Sequence, residues 1–430
     1  MVFNLIKKNT NDIKKGGTAT LINKVYLLIQ YFLLSLSILS AFPIVIIIKI
    51  INPIFTIRFG KLMSSRIGHF ASNVELYLCE IDQKINTPQN KNYVDIFFLG
   101  YKPVCNEQLL KMWKRKLIIL PKVLIEPLFI ANKLLPNKIR NEVPENIQGD
   151  RDINNLIDKH SPHCFFTDEE EKYGLKMLNE MGLKNNEKFV CLIVRDNAYL
   201  DKTFKNGDWG YHNYRDCKID NYKLVSEYLA NQGYFVFRMG SIVKEKFVSN
   251  NTRIIDYATN GFRNDFLDIY LGAKCHFCIS SSLGWDAIPE IFKRPIVYTN
   301  IMPLGYLRLS SYKAINLSKH FVRKDNNIEL SLNQIFTENL ALVLTSDEYD
   351  KNNILLIENN PQEILDAVLD MIELITNNFI LNEKQIFLRD KFLKIFPDKV
   401  LDNYQKQPLH GTINGNYSFT FLKNNPQWLN

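Results

Sequence analysis

Phe189-Val190-Cys191-Leu192-Ile193-Val194, followed at once by Arg195-Asp196, sets the reading of this chain. Six apolar residues without a break suit a central parallel strand covered on both faces, whereas a half-exposed strand would alternate. Downstream, Asn221 to Gln232 has helical spacing and stops at Gly233, and the next strand is predicted from Tyr234 to Arg238. Further strands are expected at Arg253 to Asp256, Cys275 to Ile279 and Pro295 to Tyr298, separated by helices at Asp265 to Gly272 and Trp285 to Phe292. This alternation predicts a doubly wound α/β sheet. A last helix is predicted from Pro361 to Asn377, opened by Asn359-Asn360 with Pro at its first position, and the C-terminal residues are expected to wrap the surface.

Upstream the same grammar is weaker. Ile54 to Lys61 reads as a strand, Ser64-Ser65-Arg66-Ile67-Gly68-His69 as a glycine turn, and the pattern through Tyr77 as a helix. Val94 to Leu99 and Leu117 to Leu120 supply two more strand candidates. The polar, Pro-interrupted stretch from Asn137 to Pro162 marks a domain boundary. Four parts are therefore expected: a membrane-associated segment (1–52), a first Rossmann-like domain (53–165), a second (166–345), and C-terminal helices with a tail (346–430).

From Val25 to Ile48 no residue is charged, and these 24 residues are long enough to cross a bilayer core of about 30 Å. A buried core helix is the competing reading, and Pro43 leaves a re-entrant hairpin open. Lysines flank the run on both sides, so the charge rule for orientation hardly discriminates. Removing residues 1–52 is expected to release a folded, soluble remainder. The net charge of +8 is uneven, because the first 150 residues hold twenty Lys and Arg against ten acidic residues. That basic half carries the apolar run, which favours anionic lipid over nucleic acid, for which no motif is present. Seven Cys, an odd count without a disulfide framework, suit a reducing compartment. Cys275-His276-Phe277-Cys278 is a single CxxC in an apolar run and reads as core, and His160 with His163 lacks the metalloprotease pattern.

Ligands of doubly wound folds bind beyond the carboxyl ends of the strands. The residues there are Arg195-Asp196, Arg238-Met239-Gly240, Asp256-Tyr257 and Ser280-Ser281-Ser282-Leu283-Gly284. Arginine forks grip phosphate oxygens, a small-residue turn opening a helix offers free N–H groups, and a carboxylate suits ribose hydroxyls or a base. Together they describe a nucleotide-diphosphate pocket. Taken singly, Arg195–Asp196 is equally a local ion pair and the serine turn equally a helix cap. Neither a P-loop nor a GxGxxG motif is present, which argues against an ATPase or a nicotinamide dehydrogenase.

Tyr199, Tyr211-His212-Asn213-Tyr214-Arg215, Tyr222, Gly233-Tyr234, Arg238-Met239-Gly240, Ile255-Asp256-Tyr257-Ala258 and Asp265-Phe266-Leu267-Asp268 resemble a family of bacterial surface-polysaccharide glycosyltransferases. Arg66-Ile67-Gly68-His69 and Asn359 to Ile364 fit the same pattern, so the resemblance runs from about residue 55 to the end. More loosely, Arg195-Asp196 with the serine turn is similar to GT-B fucosyltransferases. The resemblance implies a GT-B fold, with two Rossmann-like domains facing across a cleft, and sugar transfer from a nucleotide-sugar donor to a glycan or lipid-linked acceptor. No cofactor is expected, and no metal, since the arginines and a helix dipole serve that role and no clear DxD motif is present; a place on the cytoplasmic face of the inner membrane is expected, since sugar nucleotides are made in the cytosol. Expected donor-binding residues are Arg195, Asp196, Arg238, Gly240, Asp256, Tyr257, Ser281, Ser282 and Gly284. Arg66, Gly68, Tyr211, His212 and Arg215 are expected at the acceptor or sugar. His69, on a loop that resembles that of the peptidoglycan lipid II glycosyltransferase, is the candidate base. Its alternatives are a cap of the following helix or a partner for Glu75. A nucleotide-sugar epimerase and a membrane-tethered glycan-binding protein are the competing functions.

Overall fold

The computed structural model describes residues 2–88, 92–101, 103–136, 141–144, 151–184, 187–203, 209–402 and 406–430; the segment in which a domain boundary is expected, 137–162, lies partly outside them. The fold is α/β with parallel sheets, behind a long apolar helix. Contacts divide the chain into two compact units that cut across its linear order. The first comprises residues 1–62, 86–101 and 117–145, and the second comprises 63–85, 102–116 and 146–430. Arg66, Gly68 and His69 thus belong to the same compact unit as Arg195 and the serine turn.

In the first unit, strands Phe55–Leu62 (β1), Asn92–Leu99 (β2) and Ile118–Ile119 (β3) form a parallel sheet in sequential order. Arg58 and Asp95 are register partners on β1 and β2, and their side chains form a buried two-point ion pair at 2.7 and 2.6 Å. The N-terminal helix, Val2–Ile51, breaks its helical geometry at Gly17, and from Gly17 to Ile51 it is long and apolar enough to cross a membrane. Its last turns point inward. Ile48 packs with Phe59, Phe98, Ile125 and Phe129, while Ala41 and Val45 pack on Ala131 of the helix Lys122–Lys133. Large apolar side chains between Leu21 and Leu39 are exposed instead.

The second unit is built on a seven-stranded, all-parallel sheet. Its strands are Phe189–Ile193 (β4), Phe235–Arg238 (β5), Ile254–Ile255 (β6), Phe277–Ser280 (β7), Ile296–Ile301 (β8) and Ala314–Ser318 (β9), with His320–Arg323 (β10) and Ile354–Ile357 (β11) forming a separate antiparallel pair. The tail supplies Asn416–Tyr417 (β12), which completes the edge beside β9. The order is β12-β9-β8-β7-β4-β5-β6. Every residue of β4, β5, β7 and β8 is buried, as an unbroken apolar run requires. Cys191, Cys275 and Cys278 are buried and free. Helix starts are strongly specified: Asn360 caps Pro361–Thr376 and Thr167 caps Asp168–Glu180, each in a reciprocal box with the glutamate three residues on. The second of these helices is absent from the sequence reading although Thr167-Asp168-Glu169-Glu170 carries its signature.

Ala41, Val45 and Ile48 pack in the core of the first unit, which weighs against a folded, soluble remainder after removal of residues 1–52. A chain beginning at residue 53 forfeits these contacts and is expected to aggregate, whereas one beginning at residue 37 keeps them and melts cooperatively near the full-length temperature. Circular dichroism melts of both chains in detergent check this.

Candidate functional site

Strand order reverses direction between β4 and β7. From β4 the chain proceeds outward to β5 and β6, then returns to the other side of β4 as β7 and continues to β8 and β9. At such a switch point the loops leave the sheet on opposite faces and open a crevice beyond the strand ends. Arg195 follows β4 and the serine turn follows β7, so the sequence places both at this crevice. They are tied together: the Arg195 backbone N–H donates to Ser281 Oγ at 2.7 Å, and the Ser281 N–H donates to Ile193 O at 3.1 Å.

The turn is held from within. Ser280 Oγ donates to Asp286 Oδ2 at 2.8 Å, the Leu283 N–H donates to the same oxygen at 2.9 Å, and the Ser282 N–H donates to Ser280 Oγ at 3.0 Å. Ser282 has a φ of 59°, a left-handed conformation that a serine adopts at a cost of roughly 1–3 kcal/mol. Gly284 starts the helical turn that follows, and Gly68 lies against it. A Cβ built on Gly68 would meet Gly284 Cα at 2.9 Å, so glycine alone allows this approach. The helix Ile67–Asp82 therefore begins at the switch point, with Arg66 at a cap position that makes no side-chain cap bond and half-buried His69 in its first turn.

Three arginines gather here. Arg215 donates from Nη2 to Ser282 O at 2.8 Å, and Arg195 Nε lies 3.2 Å from Asp216 Oδ1. His212, in the short helical segment Gly210–Arg215, has its proton affinity lowered to about 4 by burial and then by the charges of Arg215, Arg195 and Arg66. Burial, then the Arg215 charge, also pushes the Arg195 guanidinium below its ordinary value. Burial and the neighbouring guanidinium charges thus both disfavour the protonated imidazole. Tyr211 is exposed and stacks on His212 with ring centroids 3.9 Å apart.

Other predicted residues are bonded within the protein, although Arg238 and Asp196 also line the cavity described below. Arg238 is 1% exposed and donates to Asp256 Oδ1 and Glu245 O, each at 3.0 Å. Asp256 also accepts from the Phe247 N–H at 3.0 Å and from Thr259 Oγ1 at 2.6 Å. This pair thus closes the loop after β5, whose turn needs Gly240 at a φ of 150° with Val243 against it. Tyr257 is fully buried and its hydroxyl donates to Asp268, whose carboxyl is raised to about 6 chiefly by burial. Asp196 accepts from the Ala198 and Lys244 backbone N–H groups at 3.0 and 2.9 Å. Glu75 pairs with His163.

A cavity of about 460 Å³ adjoins the crevice beyond β4 and β5, lined among others by Asp196, Asn197, Tyr214, Asp216, Lys319 and Glu358. Sequence reasoning missed Asp216, Asp286, Lys319 and Glu358. Lys319, itself buried, donates to Asp216 O at 2.7 Å, and Glu358 accepts from the Lys218 N–H and Asn221 Nδ2. Asp216 was findable as the acid next to Arg215; the other three follow no motif.

Two measurements test this geometry. Gly68→Ala forces the two backbones apart and is expected to destabilise the unit by about 1–3 kcal/mol, read from denaturant unfolding. Neutral His212 in the fold against an ordinary imidazole in the unfolded chain means that the unfolded state binds the extra proton between pH 4 and 6.5. Stability therefore rises with pH through that window, and a bound diphosphate, by offsetting the arginine charges, is expected to raise the His212 pKa in an NMR titration.

No protein-family profile matches the chain, and a search of curated proteins returns no match. Among solved structures it is similar to the glycosyl transferase family 9 protein of Veillonella parvula DSM 2008, at 10% identity over 74% of this chain and 97% of that one, with a TM-score of 0.44. It is similar to the ADP-heptose LPS heptosyltransferase II of E. coli at 13% identity, covering 74% and 99%, with a TM-score of 0.37. UDP-GlcNAc 2-epimerase of Neisseria meningitidis follows at 14% identity, covering 76% and 100%, with a TM-score of 0.27.

Proposed function

We propose that this protein is a GT-B glycosyltransferase that moves a sugar from a nucleotide-sugar donor to a glycan or lipid-linked acceptor in bacterial surface-polysaccharide synthesis. The observation that carries the reading is the gathering of Arg195, Arg215 and the Ser281-Ser282-Gly284 turn at the switch point of the parallel sheet. A diphosphate placed there meets two guanidinium forks and the start of a helix, and the adjoining cavity is large enough for a nucleoside.

In this reading His69 takes the proton of the acceptor hydroxyl, whose oxygen attacks the anomeric carbon from the face opposite the leaving group. The bond from that carbon to the diphosphate oxygen breaks, and the sugar is transferred with inversion. Charge developing on the departing diphosphate is stabilised by Arg195 and Arg215, so this step requires no metal ion. Arg66 and Tyr211 flank the sugar or acceptor. Arg238, which lines the cavity, and Asp256 pair with each other and fix the loop from Gly240 to Phe247, with Asp196 holding its Lys244 backbone. Residues 25–48 would attach the enzyme to the inner membrane with the site in the cytosol, where sugar nucleotides are made.

Calorimetric titration with nucleoside diphosphates separates these roles. Arg195→Ala and Arg215→Ala are each expected to weaken binding by about 1.5–3 kcal/mol with the melting temperature kept. Arg238→Ala removes a fully buried guanidinium and the cation that Asp256 faces, and is expected to cost about 3–5 kcal/mol of stability instead. Unchanged affinity in both of the first two variants would remove the phosphate from the switch point. Turnover supplies the second test. His69→Ala is expected to lower it by about 10²–10⁴ with donor affinity preserved. A sugar nucleotide that isomerises without acceptor would make the protein an epimerase, and binding without turnover a glycan-binding protein.

A further inference from the structure

The far half of the helix Ile67–Asp82 carries a second cluster that sugar transfer does not use. Glu75, Cys79 and Asp82 recur at i, i+4 and i+7 and share one helix face. The segment Ile157–Cys164 brings His160 and His163 to that face. His163 Nδ1 lies 3.0 Å from Glu75 Oε1, and its backbone N–H donates to both oxygens of that carboxylate at 3.1 and 3.3 Å. Its Nε2 lies 3.1 Å from Asp82 Oδ2, which also sits 3.3 Å from His160 Nδ1. Cys79 Sγ, Glu75 Oε1 or Oε2 and a ring nitrogen of His163 all lie within 4.8 Å of one another, and Glu75 and Cys79 are at most 1% exposed.

We propose that Glu75, Cys79 and His163 bind a divalent transition-metal ion of the zinc class, with Asp82 orienting the histidine. A carboxylate, a thiolate and an imidazole are borderline-to-soft donors that suit Zn²⁺ or Co²⁺ and not Mg²⁺ or Ca²⁺. Tetrahedral zinc needs its oxygen and nitrogen ligands about 3.4 Å apart, so opening the 3.0 Å contact by a few tenths of an ångström admits the ion. The second ring nitrogen facing a carboxylate is the usual support of a metal-bound histidine. Charge also balances. Both ring nitrogens of His163 face a carboxylate, Glu75 at Nδ1 and Asp82 at Nε2. A bound M²⁺ takes Cys79 as thiolate, Glu75 as carboxylate and His163 as neutral imidazole, with the displaced ligand protons going to solvent. The buried complex has no net charge. The ion would fasten the helix to the segment carrying His163, and so steady Arg66 and His69 at its other end.

The test uses the full chain in detergent, stripped with a chelator and titrated with Co²⁺. One equivalent is expected to bind with release of about two protons near neutral pH and with a near-ultraviolet thiolate-to-cobalt absorption band. C79S is expected to lose the band, and H163Q to lose tight binding. D82N leaves all three ligands in place and is expected to weaken affinity by about 10–100-fold. Cobalt binding without the band, a band that survives in C79S, or no binding by the folded wild-type chain would each overturn the proposal and leave a proton-bridged His163 clamp. Nucleoside-diphosphate titration of the same samples reports on the donor site separately.

Discussion

Two glycine backbones in contact hold the switch-point site together. Gly68 and Gly284 approach until a single methyl group on Gly68 would lie 2.9 Å from the opposing Cα. Through that contact the first turn of the helix Ile67–Asp82 is seated on the turn after β7, which Ser280 and Asp286 have already shaped. Everything aimed at the crevice from this helix inherits its position from the contact. The same helix is anchored at its other end by Glu75 and Asp82 on His163. A rigid rod fixed at both ends is a suitable carrier for a side chain that must meet a reacting hydroxyl within hydrogen-bond distance.

Arg238 and Arg195 differ in what already occupies them. The Arg238 guanidinium is 1% exposed and spends two of its N–H directions on Asp256 and Glu245 O. Such a buried pair contributes little net stability against a well-packed apolar alternative, yet breaking it costs several kcal/mol because a charge is left behind. Arg195 stands differently. Its side chain is 12% exposed, one edge faces Asp216, and Arg215 repels it. Burial raises the Asp216 carboxyl above its ordinary range, while the Arg195 charge beside it acts the other way.

The doubly wound sheet was legible because its central strands are unbroken apolar runs, and FVCLIV, YFVF and CHFCI can be little else. Arg195 and the serine turn were legible for the same reason, being the first polar residues after such runs. Arg238 and Asp256 occupy equivalent places in the sequence, but a guanidinium and a carboxylate on neighbouring strand ends can satisfy each other, and sequence spacing does not say whether they do. Strand β12 was not legible, since two residues joining an edge have no periodicity to read. Nor was the assignment of residues 63–85 to the second compact unit, which depends on Gly68 meeting a residue more than two hundred positions away.

The N-terminal helix shows how packing alters a reading made from length alone. Val25 to Ile48 is long enough to cross a bilayer, yet Ala41, Val45 and Ile48 are core residues of the first unit. If they stay there, the uncharged run left to the bilayer is Val25 to Ser40, sixteen residues or about 24 Å of helix. That is short of a core of about 30 Å. Extending to Gly17, where the helical geometry breaks, restores about 36 Å but takes in Lys24. A lysine two turns inside the end of a crossing helix reaches the headgroups through its own stem. Val123 and Leu124 are exposed apolar residues on the helix Lys122–Lys133, which packs against the N-terminal helix.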